Sequence, residues 1–208
     1  ISPGAMKKWF YIIVLILVAS CVSDMKLTLI RQEENIDNYL SKQFPDSTIT
    51  RYKGSNRVFL EFIPRYEVVR IEKEVDGEIY TKDTVVVKPI VDTLSIEYGD
   101  SVLFYYAGYV FTSAPSELFS TNVKAIAKEA GFDTLTVDTL PKKILFTPGT
   151  LIPGLENGLY NAKEQEHAII AFSAEYGFGN QKLYNIPKLS ALIYEVWIEK
   201  VIKKEKDE

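Results

Sequence analysis

Apolar residues are unevenly spread along the chain, and the spacing changes from one segment to the next. The densest run, Trp9 to Ala19 within MKKWFYIIVLILVASC, is continuous. It follows the cationic pair Lys7-Lys8 and spans roughly eleven residues, the length of a secretory h-region; a membrane span needs about 20. Ile1 to Ala5 precede the start-like Met6 and are expected to take no part in the fold. Beyond Cys21 and a short polar tether, Ile36, Tyr39 and Leu40 fall at i, i+3 and i+4, with Leu27 and Ile30 one or two turns earlier. This predicts an amphipathic helix, stopped at Phe44-Pro45 because a residue before proline is pushed out of the helical region.

The period then drops to two. Val58, Leu60 and Phe62 alternate with Phe59 and Glu61, and Val68–Ile71 and Thr84–Val87 are β-branched runs flanking the turn signal Asp76-Gly77. Leu94 and Ile96 continue the strand-like pattern. In YGDSVLFYYAGYVF, Val102, Phe104, Tyr106 and Gly108 share one face and Leu103, Tyr105 and Ala107 the other. Helical spacing returns at Val123, Ile126, Ala127 and Ala130 in 120–131, with Gly131 as its stop. Leu155 and Leu159 lie at i, i+4 in GTLIPGLENGLYNAK, with Ile152 just ahead. Leu192, Tyr194, Val196 and Ile198 alternate inward near the end.

Composition narrows the function classes. At 208 residues, 47% hydrophobic and with a net charge of −4, the chain has the balance of one folded domain with extras and no basic footprint for nucleic acid. One cysteine excludes an internal disulfide. The single histidine, His167, is expected on a solvated strand edge, and without a second His or a Cys cluster no metal site forms. Ser173 and Glu175 make no triad with it. Tyr176-Gly177-Phe178-Gly179 lacks the Lys and Ser/Thr of a phosphate loop.

Four segments, in order, resemble FKBP-type peptidyl-prolyl isomerases. GDSVLFYYAGYV resembles the strand carrying Tyr-x-Gly, and PGTLIPGLENGL the Val-Ile-x-Gly-Trp-x-x-Gly-Leu segment. FSAEYGFGN resembles the Pro-x-x-Tyr-x-Tyr-Gly loop, and IPKLSALIYEVWIEKV the final strand. The resemblance implies an α+β fold: a half-open antiparallel sheet wrapped around one short helix at about Gly154 to Tyr160, here with an N-terminal helix and an inserted helix. It implies catalysis by an apolar pocket, without cofactor, metal or nucleophile. Tyr106, Phe119, Ile152, Leu155, Phe178 and Tyr194 are carried over as the catalytic set. Ile144, Phe146, Leu151 and Ile186 are carried over as substrate-binding, and the Ile152 N–H as the donor to bound ligand. The sequence departs from the family at three of its positions: Leu155 stands for the floor Trp, Ser120 for an Asp, and Phe178 for a hydroxyl-bearing Tyr. An insertion at about 120–143 is a fourth departure.

Val18-Ala19-Ser20-Cys21 resembles the bacterial lipobox, which implies acylation of Cys21 and residence in the cell envelope. The expected organisation is a leader at 1–20, a tether and helix at 21–57, the FKBP-like domain at 58–203 and a charged tail at 204–208. The function implied is a membrane-anchored prolyl isomerase or folding catalyst, with proline-containing segments of exported proteins as partners. The other class is a non-catalytic binding lipoprotein on the same scaffold, and the substitutions at 120, 155 and 178 bear on the choice.

Overall fold

Seven antiparallel strands make the main sheet of this computed structural model, which describes residues 24–75, 78–88 and 93–205. The leader, Cys21 and the Asp76-Gly77 turn fall outside those residues. The strands are β1 (Ile49–Tyr52), β2 (Ser55–Phe62), β5 (Ser101–Phe111), β6 (Pro115–Thr121), β7 (Lys142–Leu145), β8 (Glu166–Phe172) and β9 (Ala191–Ile202). Their order is β1-β2-β8-β9-β5-β6, with β7 pairing the first residues of β5. Strands β3 (Arg65–Val75) and β4 (Glu78–Lys88) pair only with each other among the described strands, in a two-stranded ribbon. Leu94–Ile96 do not form the expected strand. Backbone hydrogen bonds tie Leu94 and Ile96 to Asn161, Ala162 and Glu164, but only the isolated bridge Ser95 to Lys163 forms, beside a chain that turns through Asn161 at φ 58°.

Among the described residues three α-helices complete the α+β arrangement: α1 over 24–43, α2 (Lys124–Glu129) and α3 (Pro153–Leu159). Helices α1 and α3 cover opposite faces of the sheet. Ile36 and Leu40 of α1 pack on Val58, Phe111, Ile169 and Ile193, while Leu155 and Leu159 of α3 pack among Phe104, Ile170, Phe172 and Leu192. This double cover explains why Ala168–Phe172 and Ala191–Tyr194 are buried continuously, although only alternate residues of β9 were expected inside. The buried stripe of α1 is also rotated from the expected one. Leu27 and Ile30 remain exposed, while Leu29 and Gln32 lie half-buried seven and four residues before Ile36. The inserted helix is shorter than expected, since Ser120 and Thr121 belong to β6 and Ala130 is exposed.

Helix α3 has only seven residues, too few to persist alone in water. Its position is set by close approach and by its ends. A Cβ on Gly154 would lie 2.1 Å from Phe172 Cγ, and one on Gly158 2.3 Å from Ile170 Cγ2. At the C-terminal end, Arg57 donates to the carbonyls of Gly158 (2.9 Å), Tyr160 (3.0 Å) and Asn161 (3.3 Å), and pairs with Glu166 at 3.1 Å. A buried cation there satisfies orphan acceptors and opposes the negative end of the helix. At the other end, Glu156 accepts from the Gly149 N–H (2.8 Å) and the Tyr98 hydroxyl (3.1 Å).

His167 does not sit on a sheet edge. Strand β8 lies between β2 and β9, so the ring is held between Glu195 (2.8 Å) and Glu61 (3.4 Å) and stacks on Trp197 at 4.9 Å. Burial alone favours the neutral ring, but hydrogen bonds and charge attraction from Glu195 and Glu61 outweigh it and raise the pKa. A folded pKa above the unfolded value, about 6.5, makes the protonated ring stabilising below that value. The stabilisation is lost as pH rises through the folded pKa. Comparing wild type with His167→Gln by urea unfolding should therefore show the largest difference at about pH 5–6, below the unfolded value. The gap should narrow at higher pH. A difference that stays flat from about pH 5 to 9 would contradict this account.

Candidate functional site

A cavity of about 470 Å³ opens between α3, strands β5, β6 and β9, the start of β7 and the 173–190 loop. Its wall holds Phe104, Tyr106, Phe119, Ser120, Lys142, Leu151, Ile152, Leu155, Phe178, Ile186 and Tyr194, with Thr150 and Leu183–Asn185 at the rim. Strand period explains the grouping: Phe104 and Tyr106 on β5 and Tyr194 on β9 project from the face that α3 covers. Leu155 is carried there by the first turn of α3. Gly108 keeps room for the aromatic wall, since a Cβ on it would meet Phe119 and Tyr194 ring carbons at 2.8 Å. Phe119 meets the Tyr194 ring edge-on at 5.6 Å, and Phe172 stacks beneath it at 5.9 Å.

Eight of the ten pocket residues expected from sequence thus line one cavity. Ile144 and Phe146 do not. They point inward as expected, but deeper: Ile144 lies opposite Val102 in the core, and Phe146 is fully buried against Tyr98, the rings 5.1 Å apart. Lys142, two residues earlier on the same face of β7 and opposite Phe104, is the one that reaches the wall. Alternation predicted the face of this strand and not the depth along it. Phe104, Thr150, Leu183, Tyr184 and Asn185 were missed as well. The last three had no periodic signal because they form a loop.

The polar groups of the wall are few. The Tyr106 hydroxyl and Ser120 Oγ are 3.0 Å apart. Burial above all, and then the nearby Tyr106, push the Tyr194 hydroxyl far above the ordinary tyrosine range, so it stays protonated. Among the described residues the Ile152 N–H has no hydrogen-bond partner, as befits a residue one step ahead of a helix. No cluster among the described residues could hold a metal ion.

The loop over 173–190 is fixed from three directions. Its tip is a tight turn in which Leu183 and Ile186 exchange backbone hydrogen bonds of 3.1 and 2.7 Å. Asn185 donates to Glu117 of β6 at 3.0 Å, and the Tyr176 ring lies against Gly54 in the β1–β2 turn. The base is held by Gln32 of α1. Its side-chain oxygen accepts from the Ala174 N–H (2.9 Å) and its nitrogen donates to the Leu189 carbonyl (2.6 Å). One amide therefore closes the two ends of the segment that brings Phe178 and Ile186 to the cavity.

A family model described as FKBP-type peptidyl-prolyl cis-trans isomerase matches residues 95–199. That stretch includes the cavity wall and α3; β1 to β4 lie outside it. No curated protein is significantly similar to the chain. Among solved structures, FkpA from Escherichia coli is 16% identical with a TM-score of 0.48, covering 99% of this chain and 75% of that one. The structure of the three FKBP domains of wheat FKBP73 is 18% identical with a TM-score of 0.49, covering 76% of this chain and 52% of that one. This chain thus spans about half the wheat protein's structure.

The Gln32 clamp makes a prediction about the loop. Gln32→Leu keeps the bulk and removes both hydrogen bonds, leaving two part-buried backbone groups unpaired at a cost of about 1–3 kcal/mol. Amide hydrogen exchange should speed up over 174–190 more than over α3. Equal protection of the loop in wild type and variant would show that the clamp does not hold it.

Proposed function

The chain belongs to the FKBP-type peptidyl-prolyl cis-trans isomerase family, and from that premise we propose that it catalyses rotation about X-Pro bonds in the cavity over α3. The observation that carries this reading is an apolar floor and wall, built from Leu155, Ile152, Phe119, Phe178 and Tyr194, with an unpaired backbone donor at Ile152. Rotation breaks no covalent bond. It needs only the loss of amide resonance, against a barrier of about 18–20 kcal/mol. A proline ring seated on Leu155 leaves its preceding carbonyl in a water-poor site, which favours the twisted state of low resonance over the planar one. The Ile152 N–H is the donor that holds the bound peptide. Phe178 supplies ring surface and no hydroxyl, so one hydrogen bond to the substrate carbonyl is missing. Its net worth is about 0.5–1.5 kcal/mol, a few-fold to about tenfold in rate.

We further propose that the protein works in the cell envelope, anchored through an acylated Cys21, on proline-containing segments of exported proteins. Lys7-Lys8, the apolar run to Ala19 and Val18-Ala19-Ser20-Cys21 support this reading. A non-catalytic binding role on the same scaffold is the second reading, supported by Ser120, Leu155 and Phe178.

The activity is tested on the full chain in detergent with several apolar-Pro peptides. Uncatalysed exchange takes about 10–100 s at 25 °C, so modest catalysis stands above background. Wild type should accelerate exchange, Phe178→Tyr should raise the rate by up to about tenfold, and Ile152→Asp should abolish it with the fold intact by circular dichroism. No acceleration in wild type and none in Phe178→Tyr decides for the binding role. The anchor is tested in a bacterial host: Cys21→Ala should leave the protein unprocessed or free of the detergent phase. A variant that is processed normally and remains fully membrane-bound refutes acylation at this residue.

A further inference from the structure

The cavity is apolar except for its hydroxyls and amides and one charge. Among the described residues no aspartate or glutamate lines it, and Lys142 is the one charged side chain that does. The ammonium makes no ion pair with any described residue. It lies over the Tyr106 ring, 6.0 Å from the centroid, on the same wall as Ser120. The adjoining groove, formed with residues 132–141 of the insertion, shares Tyr106, Phe119, Ser120 and Lys142 with the cavity and adds Lys143 and Asp138. The Asp138 carboxylate is already engaged, accepting the Leu140 N–H at 3.1 Å. Lys142 is exposed at the cavity wall, and its ammonium, facing the Tyr106 ring and pairing with no described carboxylate, is free to meet an anion that a bound peptide presents.

We infer that this pocket prefers prolines flanked by an acidic side chain, and that Lys142 is the residue that reads it. The inference rests on the proposed prolyl-binding role and adds a substrate class to it. Leu155 and Lys142 line the same cavity, so a carboxylate flanking a proline seated on Leu155 would be met by the flexible four-carbon stem of Lys142. A basic flanking residue meets a like charge there, and a neutral one gains nothing.

The test uses matched peptides with Glu, Gln or Lys immediately before or after the proline. Both exchange rate and binding, by NMR, are read on the full-length protein in detergent, as wild type, Lys142→Gln and Lys142→Glu. Wild type should favour Glu over Gln by about two- to fivefold at one of the two positions, the range of single exposed ion pairs, with Lys least favoured. The ratio should fall towards one when ionic strength rises from about 0.01 M to about 1 M, where the screening length shrinks to about 3 Å. Lys142→Gln should bring the Glu-to-Gln ratio to about one, and Lys142→Glu should reverse the order of Glu and Lys. Equal treatment of the three peptides at both positions by wild type overturns the inference, as does a preference that survives in Lys142→Glu. Should no peptide be accelerated, the isomerase proposal fails, and the binding titrations alone then decide the charge preference.

Discussion

The close approach of a seven-residue helix to the sheet is the constraint on which the site depends. Gly154 and Gly158 let α3 come within ordinary contact of Phe172 and Ile170, distances that a methyl group in either place would forbid. The helix gains nothing from its own length, so its ends must be held from outside. Arg57 takes three carbonyls at one end, and Glu156 takes Gly149 and Tyr98 at the other. Burial lowers the pKa of Arg57, against the opposing pull of Glu166, yet a guanidinium remains charged throughout the usual pH range. A charge of this kind, once buried, is costly to leave unpaired, and the ion pair with Glu166 meets that need.

With α3 fixed, the pocket becomes a matter of what stands around it. One side is the rigid sheet, where Tyr106 and Tyr194 cannot move far because β5 and β9 pair over their length. The other side is loop, carrying Phe178 and Ile186, and it owes its position to Gln32, Gly54 and Glu117 on three other elements. Helix α1 therefore belongs to the site although it lies on the far face of the sheet. Its contribution is made through the backbone of the loop rather than by touching the cavity.

Much of this was legible in the residues. The resemblance of four ordered segments to the FKBP family located α3 and its wall, and the i, i+4 spacing of Leu155 and Leu159 agrees with it. The errors have physical causes. Strand alternation assigns a face but no depth, so Ile144 and Phe146 were placed at the cavity in place of Lys142. The expected stripe on α1 includes Leu27 and Ile30, whereas the half-buried residues there are Leu29 and Gln32, and Gln32 is a polar residue, bonded to the 173–190 loop, that no hydropathy pattern marks as inward. Gln32 and Leu189 are 157 positions apart, and Arg57 and Gly158 are 101 apart. Nothing local distinguishes such residues from a solvated glutamine or arginine. His167 follows the polar run Glu164-Gln165-Glu166 and so reads as an edge residue, but its partners are Glu61 and Glu195 on the two strands that flank β8, 106 and 28 positions away.

The ribbon of β3 and β4 has a consequence of a different kind. Each strand is 11 residues, about 37 Å at about 3.4 Å per residue, and neither pairs with another described strand. Val69, Ile71, Ile79, Val85 and Val87 are exposed along it. Two long unpaired borders of β-branched residues are a template on which a like strand from another molecule can nucleate. Arg70, Glu72, Lys73, Lys82 and Asp83 interrupt that template, and Arg70 meets Asp83 directly across the ribbon at 3.0 Å. Protection of the ribbon's borders against edge-to-edge association thus rests on a few charges, in a segment that contributes no residue to the cavity wall.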